Sequence, residues 1–218
     1  MSNSKLEIMN RIKSALDDRH SSEKPGDIII PRTYRRTAKL PIESLLNLFV
    51  ERVADYKATV QVIDHGSVIS SIENICSQKN LSKVVIDGSL SSDFRPSNVE
   101  LFEDQPSQLL SYAELDSMDA VLTTCAVAVA ETGTIALDAG DGQGRRVLSL
   151  IPDVHICIVK QEQIVEIIPE AFQMLKKSVE KEGRPITLIS GPSATSDIEL
   201  NRVEGVHGPR ILEVLVVR

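Results

Sequence analysis

The sequence predicts an α/β protein with a mostly parallel sheet, helices on both faces, and a helical arm in front. Three observations predict it. From residue 58 onward, apolar runs of strand length alternate with helical patterns of about 10–15 residues, as strands joined by crossover helices do. Residues 154–159, Val-His-Ile-Cys-Ile-Val, are apolar almost throughout, which suits a strand covered on both sides. Eight of the eleven glycines lie between positions 133 and 208, so the tight loops of such a fold gather in the second half.

Taken in order, Ser4-Lys5-Leu6-Glu7 reads as a capping box, followed by Ile8, Ile12, Ala15 and Leu16 at helical spacing. Residues 17–40 mix charges, serine pairs, Pro25 and Pro31, and read as an irregular arm. With so few apolar anchors, the arm is expected to be the most mobile internal segment. Two parts follow: residues 1–40 as helix and arm, and residues 41–218 as the α/β domain. Pro41 opens a second helix, in which Ile42, Leu45, Leu46, Phe49, Val50 and Val53 form one apolar stripe.

The domain then alternates. Residues 58–63 read as a strand, and 68–76 as a helix with Val68, Ile72, Ile75 and Cys76 inward. Strands are expected at 83–87 and 98–102, with a short helix near 108–115. Residues 119–123 form the next strand, and 134–137 are expected beside it. A short helix at 145–150 ends at Pro152, before the strand at 154–159. Residues 170–181 form a helix closed by Gly183, and 185–190 and 211–217 are the last strands.

Composition removes several function classes. Apolar residues make up 42% of the 218, enough for a full core. The formal net charge of -7 argues against nucleic acid and anionic membrane surfaces, both of which need a basic face. Aromatics at 3%, with no tryptophan, exclude a surface that recognises bases by stacking. Cys76, Cys125 and Cys157 stand far apart in apolar stretches, without a Cys-x-x-Cys pair. They read as small buried hydrophobes in a reducing compartment, not as ligands of zinc or an iron–sulfur cluster. The amino terminus lacks an apolar signal core, and the longest uncharged apolar stretch, 120–130, is too short for a membrane helix. A cytoplasmic location is the expectation.

In such sheets ligands bind beyond the carboxyl ends of the strands, which directs attention to loops 123–133, 140–144 and 191–199. In the first, Ala126-Val127-Ala128-Val129-Ala130 leads into Glu131-Thr132-Gly133-Thr134. A carboxylate beside a buried alanine run is expected to lose water and hold its proton more tightly, which suits acid–base or nucleophilic work. The alternative is that Glu131 caps backbone donors at a sharp turn. Gly140-Asp141-Gly142-Gln143-Gly144-Arg145-Arg146 offers amides and two guanidiniums to an anion, yet lacks the Gly-Lys-Ser/Thr of a phosphate loop. A turn with solvated arginines is the better reading.

Ser190-Gly191-Pro192-Ser193-Ala194-Thr195-Ser196-Asp197-Ile198-Glu199 presents Ser193, Thr195, Asp197 and Glu199 either to a ligand or as helix caps. His207, between Gly205 and Gly208, is placed to titrate near neutral pH, although a lone histidine is more often structural. His20, His65 and His155 show no metal-ligand spacing, and no metal site is expected. The strand-end rule predicts that Glu131, Thr132, Asp197 and His207 meet at one rim.

Ala130-Glu131-Thr132-Gly133-Thr134, the stretch Leu150-Ile151-Pro152-Asp153-Val154-His155-Ile156, Gly191-Pro192-Ser193 with Asp197-Ile198-Glu199, and Gly205-Val206-His207-Gly208-Pro209 together resemble the LUD domain family. Their order and spacing resemble its lactate-utilisation protein C branch, over nearly the whole chain. The resemblance implies a fold similar to the sugar-phosphate isomerase and coenzyme A transferase group. It further implies an accessory role in oxidising L-lactate to pyruvate, with no cofactor in this chain and iron–sulfur clusters in two partner subunits. The site residues expected from the loops are Glu131 as the catalytic group and Thr132, Gly133, Thr134, Gly191, Ser193, Thr195, Asp197, Glu199 and His207 around a small anionic metabolite. One departure is that Ala194 stands where the family often has arginine after Gly-Pro-Ser. The rival readings are a stand-alone enzyme acting on an acyl thioester or phosphosugar through Glu131, and a metabolite-binding scaffold without chemistry.

Overall fold

A computed structural model describes residues 3–17, 31, 33–196, 202–204 and 208–218. Most of the arm, including 18–30, lies outside the described residues, and with it the expectation of mobility. The chain divides into two units, Met1–Arg35 and Arg36–Arg218. In the first, helix α1 spans Asn3–Asp17, so Ser4 lies inside the opening turn instead of capping it.

In the second unit the elements are α2 (Ile42–Asp55), β1 (Thr59–Ile63), α3 (Val68–Gln78), β2 (Lys83–Asp87), β3 (Glu100–Asp104), α4 (Tyr112–Asp116), β4 (Ala120–Thr123), β5 (Val127–Val129), β6 (Thr134–Leu137), β7 (Val154–Lys160), β8 (Ile164–Val165), α5 (Ile168–Glu180), β9 (Thr187–Ile189), β10 (Ala194–Ser196), β11 (Arg202–Glu204) and β12 (Ile211–Val217). Six strands form a parallel sheet in the order β1-β12-β7-β4-β2-β3. The centre is apolar: from Val154 to Val159 every residue of β7 is buried. The expectation of a parallel α/β sheet is met.

The apolar stripe of α2 explains its place. Leu45, Leu46, Phe49 and Val53 pack with Cys157 and Val159 of β7 and with Val214 and Val216 of β12. Phe49 is wholly buried, so truncating it to alanine is expected to cost about 3–5 kcal/mol. The opposite face carries α3, whose Val68, Ile72, Ile75 and Cys76 meet the alternate residues Ile156 and Ile158 of β7 and Leu215 and Val217 of β12. Period-two alternation in the strands thus sends one set to each helix.

A second sheet, ordered β8-β5-β6-β9, is mixed, and its antiparallel pairs are β5–β6 and β6–β9. It overturns the expected pairing of residues 134–137 with 119–123. β6 pairs instead with β5 and β9, while β4 lies between β2 and β7. The small residues of 126–130 are the reason, because Ala128 and Ala130 allow this sheet to share a core with α2 and the main sheet. Its outer face is closed by Ala171 and Leu175 of α5. The start of α5 also fixes the domain's leading edge: Glu166 accepts from the amides of Lys39 and Leu40 at 2.5 and 2.8 Å, and Glu170 from Ala38 at 2.6 Å.

Candidate functional site

Among the described residues, loops 123–125 and 140–142 open at one end of the main sheet and residues 190–193 at the other, while the expected meeting of Glu131 and Thr132 with Asp197 and His207 falls outside the described residues. The connection leaving β2 runs outward to β3, whereas the strands after β4 lie on its other side, which makes the β2/β4 crevice a topological switch point. A cleft of about 250 Å³ opens there, lined by Ser89, Thr124, Cys125, Gly142, Lys160 and Gln163 among others. Its floor is tied internally. The Gly142 amide donates to Asp87 Oδ2 at 3.1 Å and to Ser89 Oγ at 2.9 Å, and Thr124 Oγ1 donates to the Asp141 carbonyl at 2.9 Å.

The Gly140–Arg146 loop therefore spends its amide on the protein's own carboxylate. Arg145 is partly buried and paired. Its Nε and Nη2 bind Asp104 at 2.7 and 2.8 Å, and Asp104 is buried. Arg146 is the exposed one of the pair.

A second cleft, about 330 Å³, lies toward the amino ends of β7 and β12. Arg146, Ser149, Ser190, Gly191, Ser193 and Gly208 are among its lining residues. The Ser193 amide donates to the Pro209 carbonyl at 2.8 Å, which joins the Gly-Pro-Ser segment to the loop before β12. Gly191 has φ +79°, and a Cβ there would come within 2.4 Å of Tyr56 Cβ, so only glycine fits.

The Glu-Thr-Gly-Thr turn reaches this cleft through hydroxyls. Thr132 Oγ1 and Thr134 Oγ1 are 2.8 Å apart, and Thr134 Oγ1 is 2.9 Å from Ser190 Oγ. Gly133, at φ +58°, presses on the backbone of α2, where a Cβ would lie 2.7 Å from the Arg52 carbonyl carbon. Close packing, not ligand contact, accounts for this glycine.

Glu131 itself is exposed. The alanine run turns inward while the turn carries Glu131 to solvent, so the expected loss of water does not occur. Its amide is bound to the Glu166 carbonyl at 3.0 Å. Of the remaining candidates, Thr195 falls in β10, while Asp197, Glu199 and His207 lie outside the described residues. Thr132, Thr134, Gly191 and Ser193 are thus brought together; loops 123–125 and 140–142 sit at the other end of the sheet.

Sequence reasoning missed a buried polar chain beneath the first cleft. In the β4–β7 register Thr123 stands opposite Cys157, and Thr123 Oγ1 lies 2.8 Å from His155 Nε2 and 3.8 Å from Cys157 Sγ. Cys157 Sγ is 3.9 Å from the carbonyl oxygen of Thr124, the residue before Cys125. Cys125 Sγ lies 3.5 Å from Gln163 Oε1, and Gln163 Nε2 donates to the Cys125 carbonyl at 2.6 Å. Two cysteines read as separate apolar fillers belong to one buried cluster. Only strand pairing reveals this, and separation in sequence concealed it. Among the described residues no group of three or more His, Cys, Asp or Glu is placed to hold a metal ion. Among them, too, no helix is long and apolar enough to cross a membrane.

Comparison with known proteins places this geometry. The LUD domain family model matches residues 46–217. A lactate utilization protein C of Deinococcus radiodurans is 42% identical over 213 residues, 98% of this chain and 95% of the relative. Another, from Halalkalibacterium halodurans, is 28% identical over 177 residues, 77% of this chain and 76% of the relative. The crystal structure of a DUF162 family protein from Deinococcus radiodurans superposes with a TM-score of 0.72 at 39% identity, covering 83% of this chain and all of that one.

Proposed function

This chain belongs to the LUD domain family, and from that premise we propose that it serves lactate utilisation, as an accessory component of the system that oxidises L-lactate to pyruvate. The observation that carries the reading is its similarity, over nearly the full length of both chains, to a protein named for that process. Electron transfer falls to partner subunits bearing iron–sulfur clusters, with the assembly in the cytoplasm. This chain contributes a binding surface for a small anionic metabolite.

The amino-end cleft supports that role. Lactate and pyruvate each carry a carboxylate, and Arg146 lines this cleft together with Ser149, Ser190 and Ser193, a cation and hydroxyls suited to an anion. Arg146 thereby supplies from another segment the cation that Ala194 does not. Thr132, Thr134 and Gly191 position the wall, and Thr195, Asp197, Glu199 and His207 complete the candidate set. Glu131, on the turn that Thr132 and Thr134 anchor, is the candidate acid–base group. Its exposure weighs against the stand-alone transferase reading, which needs this carboxylate facing a roomy, dry cleft.

The test is reconstitution. The pure chain is expected to oxidise no lactate, and adding the iron–sulfur subunits is expected to restore turnover. Robust turnover by the chain alone would overturn the accessory role.

A further inference from the structure

β1 is an unguarded sheet edge. It ends the six-stranded sheet with β12 on one side, and among the described residues no strand takes its other side. Its five residues, Thr-Val-Gln-Val-Ile, include no charge and no proline, and Val62 is 37% exposed. Edges are ordinarily blunted by charge, proline or brevity, because their unpaired amides and carbonyls can accept another extended chain. The other edges of the two larger sheets are blunted in this way. β3 carries Glu100, Glu103 and Asp104, while β8 has two residues and β9 three. We propose that β1 pairs antiparallel with β1 of a second copy, across a two-fold axis at Gln61, and joins the two main sheets into one.

Backbone direction selects the register. The Arg218 amide donates to the Ile63 carbonyl at 3.0 Å, with Val217 opposite Ile63. Along a strand, the N–H and C=O of one residue share a side and those of the next take the other. Thr59, Gln61 and Ile63 therefore turn these groups toward β12, and Val60 and Val62 turn theirs outward. In an antiparallel pair, outward groups meet as hydrogen-bonded pairs, so an axis at Gln61 sets Val60 of each copy opposite Val62 of the other. An axis at Val62 would set Val60 against Asp64, and an axis at Val60 would set Val62 against Ala58, which is buried.

Side chains and charges agree with that register. Val60 packs against the core beneath α2, and Val62 lies on the same face, so the two valine pairs carry that apolar face across the axis. Lys57 precedes the strand and Asp64 follows it, both exposed. Antiparallel pairing brings Lys57 of each copy to the end where Asp64 of the other lies, whereas a parallel pairing would align like charges. The same operation at β3 would oppose Glu100 and Asp104. A pair of such short strands buries little surface, so the dimer is a weak one that dissociates in the micromolar range.

The experiment is sedimentation of the full chain, followed by cross-linking. Its mass is expected to rise from 23.9 kDa toward twice that as the concentration passes through the micromolar range. Val62→Lys, at an exposed edge position, is expected to keep the melting temperature and to weaken association by about tenfold or more. Gln61→Cys places two thiols across the axis, where a non-hydrogen-bonded pair has Cα atoms about 4.5 Å apart, within disulfide reach. Cys76, Cys125 and Cys157 are buried, so mild oxidation is expected to link this variant into a covalent dimer through position 61. Thr59→Cys is expected to give about tenfold less, because its two copies lie on opposite sides of the axis, beyond that reach. A mass of 23.9 kDa at every concentration would overturn the proposal. So would a dimer that Val62→Lys leaves at full strength, or a Thr59→Cys variant that cross-links as readily as Gln61→Cys.

Discussion

Arg145 closes its guanidinium fork on Asp104, 41 positions earlier in the chain, and so ties the glycine loop to the carboxyl end of β3. Asp104 is only 3% exposed and accepts a further bond from the Leu110 amide at 2.9 Å. Removing the arginine strands a buried carboxylate. Arg145→Met is expected to cost about 3–5 kcal/mol in urea denaturation. Arg146→Met, at an exposed position, is expected to change stability by about 0.5 kcal/mol or less. Equal midpoint shifts for the two would refute this division between a structural and a free arginine.

A second buried carboxylate sits on the main sheet, one strand in from its edge. Glu213 of β12 is 3% exposed, and Lys79, just beyond α3, places Nζ 2.9 Å from its Oε1. Lys79→Met is expected to destabilise by about 3 kcal/mol or more, since the charge loses its partner without regaining water. Lys79→Met combined with Glu213→Leu is expected to recover most of that loss. A double variant that melts no higher than Lys79→Met would show that the pair is not what holds this site.

Acid sensitivity has a local source at α4. Ser111 and Glu114 form a capping box, with the Ser111 amide 2.7 Å from a Glu114 carboxylate oxygen. The Ser111 hydroxyl, then its amide, holds the Glu114 carboxyl below its ordinary 4.5. A depressed folded value means the contribution is fully present above pH 4.5 and fades as pH falls through the folded value. The melting-temperature gap between wild type and Ser111→Ala is therefore expected to stay constant from about pH 7 to 5 and to narrow below about pH 4. A gap independent of pH would leave only the neutral cap.

How much of this was legible in sequence depends on the range of the interaction. The stripe of α2 and the wholly apolar 154–159 run report their own burial, because period and hydropathy are local. Thr134–Leu137 was legible as a strand but not in its partner: β5 is three residues long and hides in an alanine run. Arg145 and Arg146 are identical in sequence terms, and only the arrival of Asp104 separates them. The same holds for Cys125 and Cys157, which join one core cluster only because β4 lies beside β7. The switch-point rule located one cleft, but the Gly-Pro-Ser segment lies at the other end of the sheet, after β9 has returned antiparallel to β6.

The functional prediction rests on that second cleft. Glu131 is exposed, and Glu131→Gln keeps its shape and hydrogen-bonding atoms while removing the charge. It is expected to leave the melting temperature unchanged and to abolish lactate-dependent growth of a complemented deletion strain. Arg146→Gln removes the guanidinium of the arginine that lines this cleft with Ser149, Ser190 and Ser193. It is expected to raise the lactate concentration that supports half-maximal growth by about tenfold, the loss of one charge-assisted contact worth about 1.5 kcal/mol or more. The two effects differ in kind: an acid–base group sets whether turnover occurs, whereas an anion contact sets how much substrate it needs. Growth at the wild-type rate with Glu131→Gln would reduce this residue to a turn. An unchanged concentration dependence with Arg146→Gln would remove the carboxylate from the cleft.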